Sequence, residues 1–163
     1  VKENNMNRKM KCLVVVTICI VVAVGLIFML RESQLEVPKS KQLSSVEFIN
    51  ISHCQGVEKI TISKQSDIDN LLNILKNSNK TSKDSVSNFP DKTKFTLIGL
   101  NFINGGTSWR SFYEENDDIY VDQPYVGIFK LNSNDLNLLN EIMKSGSKES
   151  ISIRVDDILK NNF

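Results

Sequence analysis

Residues that carry chemistry are scarce in this chain. Its 163 residues include one histidine and three cysteines. Zinc sites need three or four nitrogen, sulfur or carboxylate ligands in a fixed spacing, so most of them are excluded. Cys12 and Cys19 fall in one apolar run, which leaves Cys54 alone in the remainder. A disulfide across that remainder is therefore excluded as well. Charge of one sign is also missing. With 20 basic and 19 acidic residues the formal net charge is +1, which argues against a nucleic-acid partner held by bulk electrostatics. No Gly-x-Ser-x-Gly elbow, phosphate-binding loop or His-Glu-x-x-His pair occurs. Internal repeats and coiled-coil heptads are absent too. The sequence thus designates no catalytic, cofactor-binding or metal-binding residue, and the expectation is a protein that is not an enzyme.

Two clusters invite a chemical reading. His53 and Cys54 are neighbours, but on an extended segment adjacent side chains point to opposite faces, and no third group is in view to orient them. They read as a loop pair. Glu114, Glu115, Asp117, Asp118 and Asp122 gather carboxylates of the kind hard cations take. They lack EF-hand spacing, and an acidic hairpin tip is ordinarily a solvated turn.

What is abundant is apolar surface in one place. Residues 12–30 form an uncharged run of 19 residues. As a helix it would span roughly 28 Å, close to the hydrocarbon thickness of a bilayer. Lys2, Arg8, Lys9 and Lys11 precede it against one acid, Glu3, while Arg31 and Glu32 after it cancel. The expectation is a single-pass transmembrane helix, with 1–11 a basic cytoplasmic segment and the bulk of the chain outside. The alternative is a cleaved signal peptide, for which Ala23 and Gly25 have the right spacing, giving a secreted protein. Neither Cys12 nor Cys19 follows a lipobox.

Pro38, the serines and the alternating charge of 31–45 read as a linker. Residues 46–145 then read as one extracytoplasmic domain and 146–163 as a polar tail in which Val155 to Leu159 could add a short helix. Ser66-Asp67-Ile68-Asp69 resembles a helix start, and Ile68, Leu71, Leu72 and Leu75 recur at helical spacing. A second helix starts near Ser133 or Asn134, carries Leu136, Leu139, Ile142 and Met143 inward, and stops at Gly146. Strand patterns cover Val46 to Ile51, Lys59 to Ser63, Phe95 to Phe102, Trp109 to Tyr113, Ile119 to Val121 and Val126 to Leu131. Together they predict an α+β fold. An antiparallel sheet of about 5–6 strands follows the N-terminal transmembrane helix, with two helices packed on one face.

The stretch from Tyr120 to Lys130 is the most individual. Pro124 cannot donate to a ladder, so the strands must part there. Gly127 permits a bulge or a close approach. Tyr120 and Tyr125 each present an apolar body with a polar tip. Tyr120, Gln123, Pro124, Tyr125 and Gly127 are the candidate recognition surface. Gln123-Pro124-Tyr125, then Gly127-Ile128 and an aromatic before Lys130, resembles the signature of a domain-of-unknown-function family of small extracytoplasmic modules in Gram-positive bacteria. Phe129 stands where a tyrosine is expected, and the lipobox of some members is missing. The resemblance covers about Val46 to Ser145. It implies an anchored or lipid-anchored module, found also at the outer end of sensor-type membrane peptidases of the antirepressor class, with no catalytic residues.

Two functions follow. The first is a membrane-anchored module that binds or senses an envelope protein or peptide. The second is an inhibitor-like or immunity-like protein, or an envelope enzyme with an unrecognised site. Convergent ionisable groups in a deep pocket would favour chemistry; an aromatic surface near Tyr125 would favour binding.

Overall fold

The computed structural model describes residues 10, 13–22, 35–85 and 88–160. The chain divides into two compact units, Val1–Glu32 and Ser33–Phe163. In the first, residues 13–22 are helical (α1), with exposed Leu13, Val15 and Val21. This corrects the expected span over 12–30. No described helix is long and apolar enough to cross a membrane. Position 12 and positions 23–30 of the run lie outside the described residues. The hydropathy of a run records what its residues avoid, and does not fix how many of them are helical.

The second unit is built on one antiparallel sheet. Its strands are β1 (Leu43–Ser52), β2 (Gln55–Ile62), β3 (Asn79–Lys80), β4 (Lys94–Phe102), β5 (Thr107–Glu115), β6 (Asp118–Gln123), β7 (Gly127–Lys130) and β8 (Ser147–Arg154). They lie in the order β3-β7-β6-β5-β4-β1-β2-β8. The sheet therefore has eight strands where the sequence pattern predicted five or six. Both additional strands are edges. β3 is two residues long, and β8 occupies the stretch read as a polar tail. An edge strand needs little apolar content, because half of its backbone groups and most of its side chains face water.

Period-two alternation sorts the strand residues between two cores. Val46 and Phe48 of β1, Ile60 and Ile62 of β2, Ile98 and Leu100 of β4, Phe112, Val121 and Phe129 share one face. Helices α2 (Gln65–Lys76) and α3 (Leu136–Ser145) cover it through Ile68, Leu71, Leu72, Leu75, Leu139 and Ile142. Each such side chain, fully buried, contributes about 1.5–3 kcal/mol. The opposite face holds Ile49, Ile51, Phe95, Leu97, Trp109, Tyr113 and Ile128, and it is covered differently. A third helix of this unit, α4 (Val155–Lys160), brings Val155 and Ile158 there, so not all helices share one face. Phe89, in the connection from β3 to β4, stacks on Phe95 with ring centroids 6.1 Å apart.

Helix ends depart from the sequence pattern. α2 starts one residue ahead of Ser66, with Lys64 at the N-cap, and neither α2 nor α3 has a side-chain cap. Asp67 instead accepts a hydrogen bond from Ser145 Oγ at 2.9 Å, tying α2 to the end of α3. Gly146 ends α3 with an extended backbone, φ −75° and ψ 157°, and not in the left-handed conformation of a glycine cap. It is glycine for want of room. An added Cβ would stand 2.5 Å from Ile60 Cγ2 and 2.6 Å from Ile62 Cδ1.

Candidate functional site

The β6–β7 connection is a tight turn. Gln123 pairs with Gly127 across it. The Val126 N–H donates to the Gln123 carbonyl at 3.0 Å, and Tyr125 has φ 61°. Proline second and a positive φ third are the signature of a type II turn, where glycine or asparagine is the usual third residue. A tyrosine there costs about 1–2 kcal/mol of backbone strain. Its side chain does not recover this by burial, since Tyr125 is 71 % exposed.

The turn forms one wall of a cleft of about 480 Å³. Gln123, Pro124 and Tyr125 line it together with Thr107, Ser108 and Trp109 at the start of β5, and with Phe102, Gly106 and Asn88. The opposite wall depends on Gly99. This β4 residue pairs with Trp109, and the indole lies so close over it that a Cβ would meet Cη2 and Cζ3 at 2.9 Å. Trp109 is 9 % exposed and its Nε1 has no hydrogen-bond partner among the described residues.

A strap behind the cleft holds Gln123. Its Oε1 accepts the Glu36 N–H at 2.9 Å and its Nε2 donates to the Glu36 carboxylate at 3.2 Å. Arg110, 2 % exposed, donates to the Glu36 carbonyl and, at 3.2 Å, to Ser108 Oγ. Burial pushes the Arg110 guanidinium down to about 10, against the pull of Glu36. Leu35 and Val37 on either side of Glu36 pack into the helix-covered core.

The other two candidates lie apart. Tyr120 does not line the cleft. It stacks on Tyr113 at 5.4 Å, with Lys83 Nζ 4.5 Å from its ring centroid. Lys92 sits 5.5 Å over Tyr113, and both lysines bind the Glu115 carboxylate. Their hydrogen bonds hold Glu115 down at about 2. Gly127, at φ 150°, abuts Phe129 and the Lys80 stem. The other acidic residues also have separate surroundings. Asp118 pairs with Lys130 at 2.7 Å. Asp122 is 3 % exposed beside its cross-strand partner Ser111, and burial raises its carboxyl above the ordinary value, with Ser85 pulling weakly back. No group of three or more metal-binding side chains occurs among the described residues. His53 and Cys54 are the two central residues of the β1–β2 turn, both at positive φ. The His53 ring meets Ser52 Oγ at 3.1 Å, and Cys54 is exposed.

The family model DUF5301, described as "Domain of unknown function (DUF5300)", matches residues 31–130. The chain belongs to this family. The DUF5301 match takes in the strap, β1 to β7 and every residue lining the cleft. An NMR structure of a protein from Ruminococcus gnavus is similar in fold, with a TM-score of 0.51 and 20 % identity. The similarity covers 63 % of this chain and 96 % of that one. No curated protein matches the chain.

Sequence reasoning located the turn and missed Asn88, Phe102, Thr107 and Trp109. The signal for Trp109 was Gly99. A glycine inside a strand otherwise apolar on both faces marks a place where another group approaches closely.

Proposed function

We propose that this DUF5301 protein is a non-catalytic binding or sensing module that engages its partner through the β6–β7 turn and the cleft behind it. The observation that carries the reading is Tyr125. A large aromatic side chain is held in a strained backbone conformation and left in water, where glycine would be the easier choice. Strain of this kind persists where the surroundings over-determine it, and such places cluster at functional sites. The cleft is of ligand size, since pockets for small molecules run about 300–1,000 Å³. Its lining carries no carboxylate, amine, imidazole or thiol, which favours binding over acid–base or nucleophilic chemistry.

The proposed setting is outside the cytoplasm. Support comes from the basic residues Lys2, Arg8, Lys9 and Lys11 ahead of an uncharged run, the order found in export signals. The stretch Gln123 to Lys130 is the proposed family signature, in keeping with a match that ends on Lys130.

Titration of the ¹⁵N-labelled protein with a library of small uncharged fragments tests the reading. Amide shifts are expected at Thr107, Ser108, Trp109 and Tyr125, and they should disappear in Tyr125→Gly. Shifts that gather instead in the hollow beside Leu139 and Met143, or that survive Tyr125→Gly, would refute it.

A further inference from the structure

The cleft differs from the rest of the surface in its charge. The chain carries 39 charged side chains at neutral pH, yet none of them lines this cleft. The hollow of about 490 Å³ beside α3, by contrast, is lined by Lys94 and Glu114. Two charged groups bonded to lining residues are turned to other work. Glu36 is bound to the Gln123 amide, and Arg110 to Ser108 Oγ and the Glu36 carbonyl. A phosphate, carboxylate or ammonium group entering the cleft would lose water and gain no counter-charge. The lining therefore favours an uncharged occupant.

What the lining offers is one exposed aromatic face beside neutral hydrogen-bonding groups. Tyr125 presents a bare ring at the rim, while Trp109 and Phe102 also line the cleft but each packs against a different one of the two cores. Thr107 Oγ1 gives its proton to Asn101 Oδ1 at 2.7 Å and retains acceptor capacity. Ser108 Oγ accepts from Arg110 and retains its O–H donor. Asn88 is exposed and supplies both an amide donor and a carbonyl acceptor. Sugar rings match this set. A pyranose has a face of C–H groups that lies flat on an aromatic ring, and a rim of hydroxyls that both donate and accept.

A peptide fits less well. An added strand requires an open ladder edge, but the cleft lies where hairpins close, at Asn101–Thr107 and Gln123–Gly127. The free edges are β3 and β8. Polyproline grooves use side-chain donors between their aromatic walls, whereas Trp109 Nε1 is buried out of reach.

We infer that the ligand of this cleft is an uncharged saccharide whose ring stacks on Tyr125, a reading that rests on the binding function proposed above. Trp109 is the only tryptophan in the chain and lines the cleft, so tryptophan emission serves as the reporter. The full-length protein is titrated with neutral trisaccharides of glucose, xylose and N-acetylglucosamine, with acidic oligogalacturonate and with a polyproline peptide. The expected result is a saturable emission change with at least one neutral trisaccharide. Tyr125→Ala should weaken it by about tenfold or more, and Tyr125→Phe, which keeps the ring, by less than about threefold. Both substitutions are at an exposed position, and a thermal melt of each checks that it folds. A response confined to oligogalacturonate or polyproline and lost in Tyr125→Ala would overturn the saccharide assignment and leave the binding function standing. Silence toward every probe, together with an empty fragment titration, would overturn both.

Discussion

Gly99→Ala probes the contact that shapes one wall of the cleft. The new Cβ would lie 2.9 Å from two ring carbons of Trp109 and 3.0 Å from Thr107 Cγ2. Carbon atoms in good packing stand about 3.5–4.0 Å apart, so roughly 0.5 Å or more must be made up by movement. Backbone movement is hard here, because β4 is paired with both β1 and β5. The indole has to lift instead. Overpacking of this size costs about 1–3 kcal/mol. Removing a glycine from a strand returns about 0.5–1 kcal/mol of backbone entropy. The net expectation is a loss of roughly 1–2 kcal/mol, which for a unit of this length lowers Tm by about 3–10 °C. Thermal melts by circular dichroism measure the loss, and tryptophan emission measures the lift, expected as a red shift. Trp109→Leu supplies the control: in that background Gly99→Ala should lose most of its penalty, because the two positions are in contact. An unchanged or raised Tm with an unchanged emission maximum would refute the packing argument.

Three further outcomes are expected. Tyr125→Gly should raise Tm, by about 1 kcal/mol of relieved left-handed strain, since the side chain lost is mostly in water; a lower Tm would show that the ring is structural. Gly146→Ala should destabilise the protein by about 1–3 kcal/mol because the chain passes close over Ile60 and Ile62, and Gly146→Ser should fare no better in the same melt. The third concerns pH: Glu115 is held at about 2 against an ordinary 4.5, so its contribution is full above about 4.5 and lost as pH falls toward about 2. Glu115→Gln should therefore flatten that limb of a Tm–pH curve, whereas Asp122→Asn should raise Tm at neutral pH, with the gain fading in acid as the raised wild-type carboxyl takes up its proton.

The elements that could be read from the sequence are those whose pattern is local. The stripe of Ile68, Leu71, Leu72 and Leu75 lies on one side of α2, and strands such as Phe95 to Phe102 announce themselves by composition. β8 is different. Its sequence, Ser-Lys-Glu-Ser-Ile-Ser-Ile-Arg, becomes a strand because Thr61 and Ile60 of β2 offer partners to Ser147 and Lys148, and pairing across 86 residues leaves no mark in either segment. The transmembrane expectation failed from the opposite cause, a strong local signal that no described helix matches in length and apolarity. The site followed the same division. Pro124 and Gly127 foretold a turn, yet the rest of the cleft comes from two other segments, and Tyr120 was assigned to it on proximity in sequence while its ring faces Tyr113.

The order of pairing also carries a kinetic consequence. Strands β4 to β7 form a meander whose neighbours are joined by loops of two to four residues, and such hairpins close in about 1–10 μs. β1 pairs with β4 only after the 41 residues between them, Ser52 and Lys94 excluded, have been gathered in. Closing that loop costs roughly 2–3 kcal/mol more than closing a two-residue turn. Every residue lining the cleft lies between Asn88 and Tyr125, within or immediately before the meander. Its walls can thus meet early, while the chain that must dock beside them is still searching. Pairing of β1 with β4 comes after that longer closure, and its ladder then fixes Gly99 beneath the indole.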